Sequence, residues 1–473
     1  MVCGESKGLN ETEMPCSDTR IVKIYFDFCS FTRICNKNLH IILKNNNFER
    51  NILSKLSKII KKGDKMSDKR FCSMLLQFKF KNYKCFYDET ILDLTATGEK
   101  RHINTTIDIN GNKILPVIEI NGANASGKSG ILEALGFMFN LIKTSSRVDI
   151  NKELPTNPFA FSTKARNQNS EFEISICLKD YEYRYGFAVN KDEFAEEWLY
   201  KKKFMASSKA SQKIVFEKIK NKVVFGKSFE KYKKIWNFFG NNTDVNTNKL
   251  LVLSNIAIKE EKGILRDIYD YVSKFSFKIE SVLNDEVSIN ILSQDSVLFK
   301  KFQKIINDFD PCLQGIDIKK IKDVREYYKI SGIHKTIDND SEILIPLQNE
   351  SDGTIKIFNI MPIILKNLEL GGLLCIDELD VKLHPLLFKQ IVNMYKDRNI
   401  NKNNAQLIYT AHSTFLFNSN DLRRDELYLV AKDLSGKSSL YSLSEFRGLR
   451  FDANYEQKYL TGQLGAIPYD NNK

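Results

Sequence analysis

The chain has 473 residues, 42% of them hydrophobic, and this length exceeds what one simple core holds, so two or three packed units are expected. Its 71 Lys and Arg residues outnumber 59 Asp and Glu, and the formal net charge of +12 suits a nucleic-acid partner or a chain with basic residues spread throughout. Nine cysteines without a C-x-x-C pair argue against a zinc site or a disulfide framework, and no apolar run approaches the ~20 residues that span a bilayer. We expect a cytoplasmic protein with no membrane association.

Residues 1–73 show no sustained hydrophobic period and end near the charged run K-K-G-D-K-M-S-D-K-R, residues 61–70. The character changes at Met74, because L-L-Q-F-K-F-K-N-Y (residues 75–83) alternates apolar and polar residues like a half-buried strand. We therefore predict that residues 1–73 are a poorly defined extension or a start-site artefact. A small accessory domain is the alternative interpretation.

A strand, a glycine-rich turn and a helix follow one another from residue 114. The apolar run I-L-P-V-I-E-I leads into N-G-A-N-A-S-G-K-S-G, after which apolar residues recur at helical spacing. Residues Gly122–Ser129 fit G-x-x-x-x-G-K-[ST], the phosphate-binding P-loop, or Walker A motif. Its backbone N–H groups and the helix dipole attract phosphate, its lysine reaches the β- and γ-phosphates, and its serine ligates Mg²⁺. The predicted nucleotide-binding residues are Asn121, Gly122, Ala123, Asn124, Ala125, Ser126, Gly127, Lys128, Ser129 and Gly130.

The periodicity divides the rest of the chain into three parts. Residues 74–200 are predicted to be strands around the P-loop, residues 201–323 read as an inserted helical lobe, and residues 324–473 return to alternating strands and helices. The predicted fold is therefore an α/β sheet interrupted by a helical insertion.

Two acids end an apolar strand in L-L-C-I-D-E, residues 373–378. A P-loop alone is compatible with kinases, GTPases and ATPases. The two adjacent acids after the strand favour an ATPase. Asp377 is predicted to help hold Mg²⁺, and Glu378 to polarise the water that attacks the γ-phosphate, with two solvated loop acids as the alternative. In T-A-H-S, His412 follows the next strand and is predicted to contact the γ-phosphate, with Lys128 and Glu378 as the other catalytic residues.

These residues resemble the ABC-class ATPases in the branch of SMC-like and overcoming-lysogenization-defect-like proteins. More closely, they resemble the stand-alone AAA-family ATP-binding proteins of bacterial abortive-infection and antiphage systems, as found beside RloB-like proteins. The likeness covers residues 74–469 and is carried by the following segments: F-K-F-K-N-Y-K-C-F from Phe78, G-A-N-A-S-G-K-S, Y-R-Y-G-F from Tyr183, E-S-D-G-T from Glu350, D-E-L-D-V-K-L-H-P from Asp377, T-A-H-S, R-D-E-L from Arg424 and Y-L-T-G-Q-L-G-A-I-P from Tyr459.

The resemblance implies a P-loop ABC-type ATPase head with an N-terminal β-rich lobe and an inserted helical lobe. It places E-S-D-G-T as the signature loop, in which Ser351, Gly353 and Thr354 would cap the γ-phosphate bound by a partner subunit; a plain helix cap is the alternative. It makes Asp380 the D-loop residue at the dimer interface. A Q-loop glutamine stays unassigned.

We therefore expect an Mg²⁺-dependent ATP hydrolase that forms a homodimer around two ATP molecules, or a higher homo-oligomer, and regulates a separate effector in antiphage or abortive-infection defence. The resemblance implies an RloB-like or Toprim nuclease as that effector. One alternative is a DNA-repair or chromosome-associated ATPase of the SMC or RecF kind, for which nucleic acid would be a partner. Another is a signalling scaffold in which ATP is bound and its turnover does not matter.

Overall fold

The computed structural model describes residues 73–147, 152–205, 211–240, 247–274, 276–278, 285–322, 326–338, 341–417, 421–450 and 453–467. The extension predicted for residues 1–73 lies outside the described residues except for Ser73, and so does the end of the tail segment from Pro468.

The described residues form 18 strands and ten α-helices. The strands are β1 (Ser73–Lys81), β2 (Thr90–Asp93), β3 (Ile107–Ile109), β4 (Asn112–Ile114), β5 (Val117–Gly122), β6 (Ser170–Leu178), β7 (Tyr181–Val189), β8 (Phe194–Lys203), β9 (Lys213–Ile219), β10 (Lys222–Phe225), β11 (Ser276–Lys278), β12 (Gly315–Lys322), β13 (Glu326–Lys335), β14 (Glu342–Pro346), β15 (Leu373–Ile376), β16 (Gln406–Thr410), β17 (Leu427–Lys432) and β18 (Ser438–Ser442). The α-helices are α1 (Lys128–Thr144), α2 (Thr163–Arg166), α3 (Lys231–Gly240), α4 (Val252–Lys259), α5 (Ile264–Ser273), α6 (Asp285–Gln294), α7 (Ser296–Phe309), α8 (Asp352–Leu370), α9 (Pro385–Lys396) and α10 (Tyr455–Leu460).

The largest sheet is antiparallel, with seven strands in the order β10-β9-β8-β7-β6-β1-β2. In β1, Phe78 and Phe80 are buried while the lysines beside them are more exposed, as the alternating sequence predicts. β9 and β10 extend this sheet within residues 201–323, where the sequence predicts a helical lobe. That prediction needs correction, because K-I-V-F-E-K-I pairs with β8 and the helices of this region begin only at Lys231.

The second sheet has the order β11-β15-β16-β5-β17-β18, and its strands are parallel except for the antiparallel pair β17–β18. Every residue of β5, β15 and β16 is buried, because α1, α8 and α9 pack against this sheet. Parallel strands end at one edge of a sheet, so the segments that follow β5, β15, β16 and β17 meet there.

The Gln406 side chain joins the two sheets. Its Oε1 accepts from Leu75 N at 2.7 Å, and its Nε2 donates to Leu75 O at 2.9 Å and to Leu115 O at 3.2 Å. These bonds satisfy the backbone of β1 where its pairing with β6 shifts register between Leu75 and Gln77. The N-terminal sheet is thereby held to the first residue of β16.

The helices α3 to α7 form two groups. α4 and α5 pack against each other and against α1, with α3 next to α4, whereas α6 and α7 pack on α8. The three-stranded antiparallel sheet β12-β13-β14 follows α7 and precedes α8. Among the described helices, none is long and apolar enough to cross a membrane.

Candidate nucleotide site

The loop between β5 and α1 depends on two glycines with positive φ. Gly122 has φ 154° and Gly127 has φ 113°. A Cβ on Gly122 would lie 2.4 Å from Val430 O, and one on Gly127 would lie 2.7 Å from Cys85 Sγ. Only glycine fits this close approach of β17 and of the Cys85 segment, so the fold selects the glycines of the predicted P-loop.

Lys128 is the first residue of α1 and its ammonium group turns back over the loop. Nζ donates to Gly122 O at 2.8 Å and to Ala123 O at 3.1 Å, and the residue is 6% exposed. Burial lowers the Lys128 pKa, while the charges of Asp377, Glu378 and Asp380 act to raise it. The structure therefore brings this lysine close to the acids that follow β15.

The loop has the donor groups that a phosphate requires. The first N–H groups of a helix have no acceptor within it, and here they belong to a helix that begins at Lys128. Ser126 Oγ is buried and has no hydrogen-bond partner in the described structure. Together with the lysine these donors fit the phosphate groups of a nucleotide.

Asp377 and Glu378, which follow β15, differ in exposure, since Asp377 is buried and the Glu378 side chain is half-exposed. Asp377 is 7% exposed and accepts a hydrogen bond from Thr410 Oγ1 at 2.5 Å. The same hydroxyl accepts from Glu378 N at 2.8 Å, so Thr410 orients both residues from the end of β16. Ser129 and Asp377 offer the oxygen donors that Mg²⁺ prefers. The described residues contain no group of three or more His, Cys, Asp or Glu side chains suited to a metal ion.

Glu378 has a strained backbone and a half-exposed side chain. Its φ is 51°, which is uncommon for a residue other than glycine, and strain of this kind concentrates at functional sites. Its carbonyl oxygen accepts from Lys356 Nζ of α8 at 3.0 Å. The side chain is 40% exposed, and Glu378 Oε1 lies 3.2 Å from His412 Nε2.

Asp380 holds the histidine loop within the same chain. Its Oδ2 accepts from His412 N at 3.0 Å and from Ser413 N at 2.7 Å, and its Oδ1 is buried without a partner in the described structure. Asp380, the predicted D-loop residue, therefore positions His412, because its carboxylate accepts from the backbone N–H groups of His412 and Ser413.

The predicted signature residues cap α8. Ser351 Oγ accepts from Thr354 N at 3.1 Å and lies 2.8 Å from Thr354 Oγ1. A Cβ on Gly353 would lie 3.3 Å from Lys382 O. Ile355 N also donates to Ser351 O at 3.0 Å, and Ser351 is exposed. Ser351 is therefore the N-cap of α8, which is the helix cap of the alternative interpretation. The exposed surface of Ser351 stays open to a ligand.

A C-terminal segment reaches both the P-loop and the histidine loop. Ala123 N donates to Ala466 O at 3.0 Å, and Tyr459 OH donates to the same oxygen at 3.2 Å. Thr414 Oγ1 donates to Glu456 Oε1 at 2.6 Å, two residues beyond His412. The tail that the sequence singled out is therefore in contact with both predicted nucleotide-binding segments.

The structure gathers Lys128, Asp377, Glu378 and His412 at one sheet edge, as the sequence predicts for one site. It differs at Asn121, whose amide donates to Glu119 Oε1 inside the sheet and so does not line the loop. The sequence reading also missed supporting residues that the structure places here, namely Thr410, Lys356, Lys432 and Ala466. The threonine at the end of β16 was the one available signal in the sequence. It is a weak signal, because strands favour threonine for unrelated reasons.

Glu119 is a buried acid in β5, three residues before Gly122. Tyr409 OH donates to its Oε2 at 2.6 Å and Asn121 Nδ2 to its Oε1 at 2.5 Å. Burial, the largest cause, raises the Glu119 pKa from 4.5 to about 8, and the hydrogen bonds from Tyr409 and Asn121 act in the opposite direction. The central strand under the site therefore carries a carboxyl group that is neutral at pH 7.

The Glu119→Gln variant is expected to change the pH dependence of stability. Between pH 4.5 and about 8 the folded protein keeps a proton on Glu119 that the unfolded chain has lost, so stability of the wild type falls as pH rises through this window. The variant lacks this effect. The free energy of unfolding of the variant minus that of the wild type should therefore rise by about 2 kcal/mol or more from pH 5 to pH 8. Urea unfolding at both pH values measures this difference, and Glu369→Gln, at an exposed residue, is the control. An equal change of unfolding free energy with pH in all three proteins would contradict the expectation.

Comparison with known proteins identifies a family for this chain. A family model described as "AAA domain, putative AbiEii toxin, Type IV TA system" matches residues 120–209 and 259–418, more than half of the chain. A solved structure described as "Crystal structure of the SmcHead bound to the C-winged helix domain of ScpA" is similar with a TM-score of 0.37 and 12% identity, over 78% of this chain and 97% of that one. No curated protein matches significantly. The family match and the parallel sheet with its P-loop confirm the predicted α/β P-loop ATPase fold.

Proposed function

The chain belongs to the AAA-domain family described as putative AbiEii toxin, Type IV TA system, and on this premise we propose that it hydrolyses ATP between two copies of itself. In this proposal the closing and opening of the dimer control a separate effector in defence against phage.

One observation carries the proposal, namely the convergence of a P-loop lysine with two acids and a histidine from other strands. Lys128 follows β5, Asp377 and Glu378 follow β15, and His412 follows β16. A P-loop that only bound phosphate would need no glutamate at 3.2 Å from a histidine at the open edge of the sheet. A base beside the phosphate-binding loop is what hydrolysis requires.

The residues have separate roles in the proposed reaction. The loop amides and Lys128 hold the triphosphate and stabilise the charge that develops on it. Glu378 accepts a proton from the attacking water, and His412 lies beside it to contact the γ-phosphate. Ser129 and Asp377 would hold Mg²⁺, which neutralises phosphate charge when bound. Thr410 and Asp380 position Asp377 and the histidine loop through their hydrogen bonds.

Dimerisation is proposed because the signature residues do not contact their own P-loop in the described structure. Ser351 is exposed at the start of α8, a helix whose N-terminus suits an anion. In a two-fold dimer the same surface is used twice, so Ser351 of each subunit would reach the nucleotide of the other. ATP would then be the group that joins the subunits.

The dimer is tested by measuring molar mass with and without ATP and Mg²⁺ by light scattering. The wild type is expected to shift from monomer to dimer, because each nucleotide supplies contacts to both subunits. The Ser351→Arg variant should stay monomeric while it still binds ATP, since its own P-loop is intact.

The control is Ser228→Arg, an equal change at another exposed serine, which should dimerise like the wild type. Equal numbers of Ser351→Arg and Lys128→Ala chains should form mixed dimers that contain one complete site. A wild type that stays monomeric at saturating ATP, or a Ser351→Arg variant that dimerises normally, would contradict the proposed assembly.

The defence role is supported by the family, whose description names a putative toxin of a toxin–antitoxin system. An RloB-like or Toprim nuclease is the proposed effector. The SMC-like alternative receives little support from the helices. The longest helix in the described part of the chain, α8, has 19 residues and cannot form a long coiled-coil arm. Loss of phage protection in cells that carry Glu378→Gln beside the intact effector gene would link the site to defence.

A further inference from the structure

A basic ribbon projects from the three-stranded sheet. We define it as residues 317–322 of β12 and 326–330 of β13, which pair antiparallel. It carries the exposed residues Lys319, Lys320, Lys322, Lys329 and Tyr327 and the half-buried Tyr328. Its acids are Asp317 and Glu326, and Glu326 is the residue opposite Lys322 in the register. The chain as a whole is only moderately basic, so this density of lysine is a local feature.

The strand register puts lysines on both faces of the ribbon. Lys319 lies directly opposite Lys329 on one face, and Lys320 and Lys322 point to the other face because side chains alternate along a strand. Like charges directly opposite each other destabilise a strand pair. Asp317, 3.2 Å from Lys319 Nζ, offsets only part of this repulsion. An anionic partner would relieve the rest.

The ribbon is also connected to the predicted signature loop. His334, at the other end of β13, lies 2.8 Å from Glu350 Oε1, and this contact raises the His334 pKa and so favours its charged form. Glu350 directly precedes Ser351, the N-cap of α8. A Cβ on Gly332 would lie 2.1 Å from Glu350 Oε1, so β13 and the signature loop are packed without a gap.

We propose that the basic ribbon binds the phosphate backbone of double-stranded DNA by entering its major groove. A two-stranded β-ribbon has the width that this groove admits, and phosphates border the groove on both sides. Lysines on both faces of the ribbon therefore meet phosphates of both strands, while the tyrosines lie between them. An acidic protein surface would meet only one face, and the deep, narrow major groove of double-stranded RNA would not admit the ribbon.

The test measures binding of the full chain to a fluorescent 30-base-pair DNA duplex by anisotropy over a series of salt concentrations, without nucleotide. The variant K319Q/K320Q/K322Q/K329Q is expected to lose on the order of 100-fold in affinity at 100 mM salt. The slope of log affinity against log salt should become shallower by about 3 to 4, because each lost phosphate contact removes about 0.9. No ATP is needed, so the outcome is independent of the proposed ATPase cycle.

The matched control is K222Q/K227Q/K233Q/K234Q, which removes the same charge from exposed lysines elsewhere and should stay within about threefold of the wild type. The arginine variant K319R/K320R/K322R/K329R should bind like the wild type, which separates loss of charge from misfolding. The proposal is overturned if the wild type does not bind the duplex at 50 mM salt, or if both glutamine variants lose affinity equally. Equal binding of polyglutamate or an RNA duplex would assign the ribbon to acidic proteins or to polyanions in general, and would also overturn it.

Discussion

Glu378→Gln is expected to lower ATP turnover by about 100-fold or more while ATP binding is retained. The amide is close in size to the carboxylate but cannot accept a proton from water, and general-base catalysis contributes about 10²–10⁴-fold to such reactions. The bonds of the Glu378 backbone to Thr410 and Lys356 do not involve the side chain, so the strained loop should survive the substitution.

Phosphate release under single-turnover and steady-state conditions measures this effect. Glu369→Gln makes the same chemical change on an exposed residue at the end of α8 and should turn over ATP at the wild-type rate. Because ATP persists in the Glu378→Gln site, this variant should also remain dimeric longer than the wild type. Equal slow rates in wild type and variant would instead support a scaffold in which turnover plays no part.

Lys128→Met is expected to weaken ATP binding by about 100-fold or more. The ammonium group can donate to the β- and γ-phosphates, and hydrogen bonds to charged groups contribute about 1.5–3 kcal/mol each. The unliganded variant should unfold at the same temperature as the wild type or higher, because burial of Lys128 disfavours its charge in the folded protein.

A thermal-shift titration with ATP separates these two effects. ATP should raise the unfolding temperature of the wild type and of Lys143→Met, which changes another lysine of α1, but not that of Lys128→Met. If ATP stabilises Lys128→Met as strongly as the wild type, Lys128 does not bind the phosphates.

The sequence predicted the elements around the site well where a side-chain pattern decides the structure. The glycines are required by the close approach of Val430 and Cys85, and L-L-C-I forms the predicted strand because burial on both faces demands a continuous apolar run. Positions of Lys128, Asp377 and His412 at one edge then follow from parallel strand topology.

Other features leave little trace in a single sequence. The bond from Ala123 N to Ala466 O joins two main-chain groups, and almost any side chains would permit it. The lysines of the basic ribbon are hard to recognise in the sequence because the chain has many other lysines. Only the strand register shows which of them share a face. The predicted helical lobe is wrong at β9 because short segments carry a weak hydrophobic period, and pairing with β8 decides the structure of β9.

The order of the strands in the parallel sheet has a consequence for synthesis on the ribosome. β5 begins at Val117 and lies between β16 and β17, which begin only at Gln406 and Leu427, and Ala466 is translated later still. A nascent chain that exposes the glycine-rich loop therefore lacks both neighbouring strands, even though early segments of a protein generally fold first. The unfinished polypeptide should be unable to capture ATP, and chaperones that shield apolar strands would be needed over that interval.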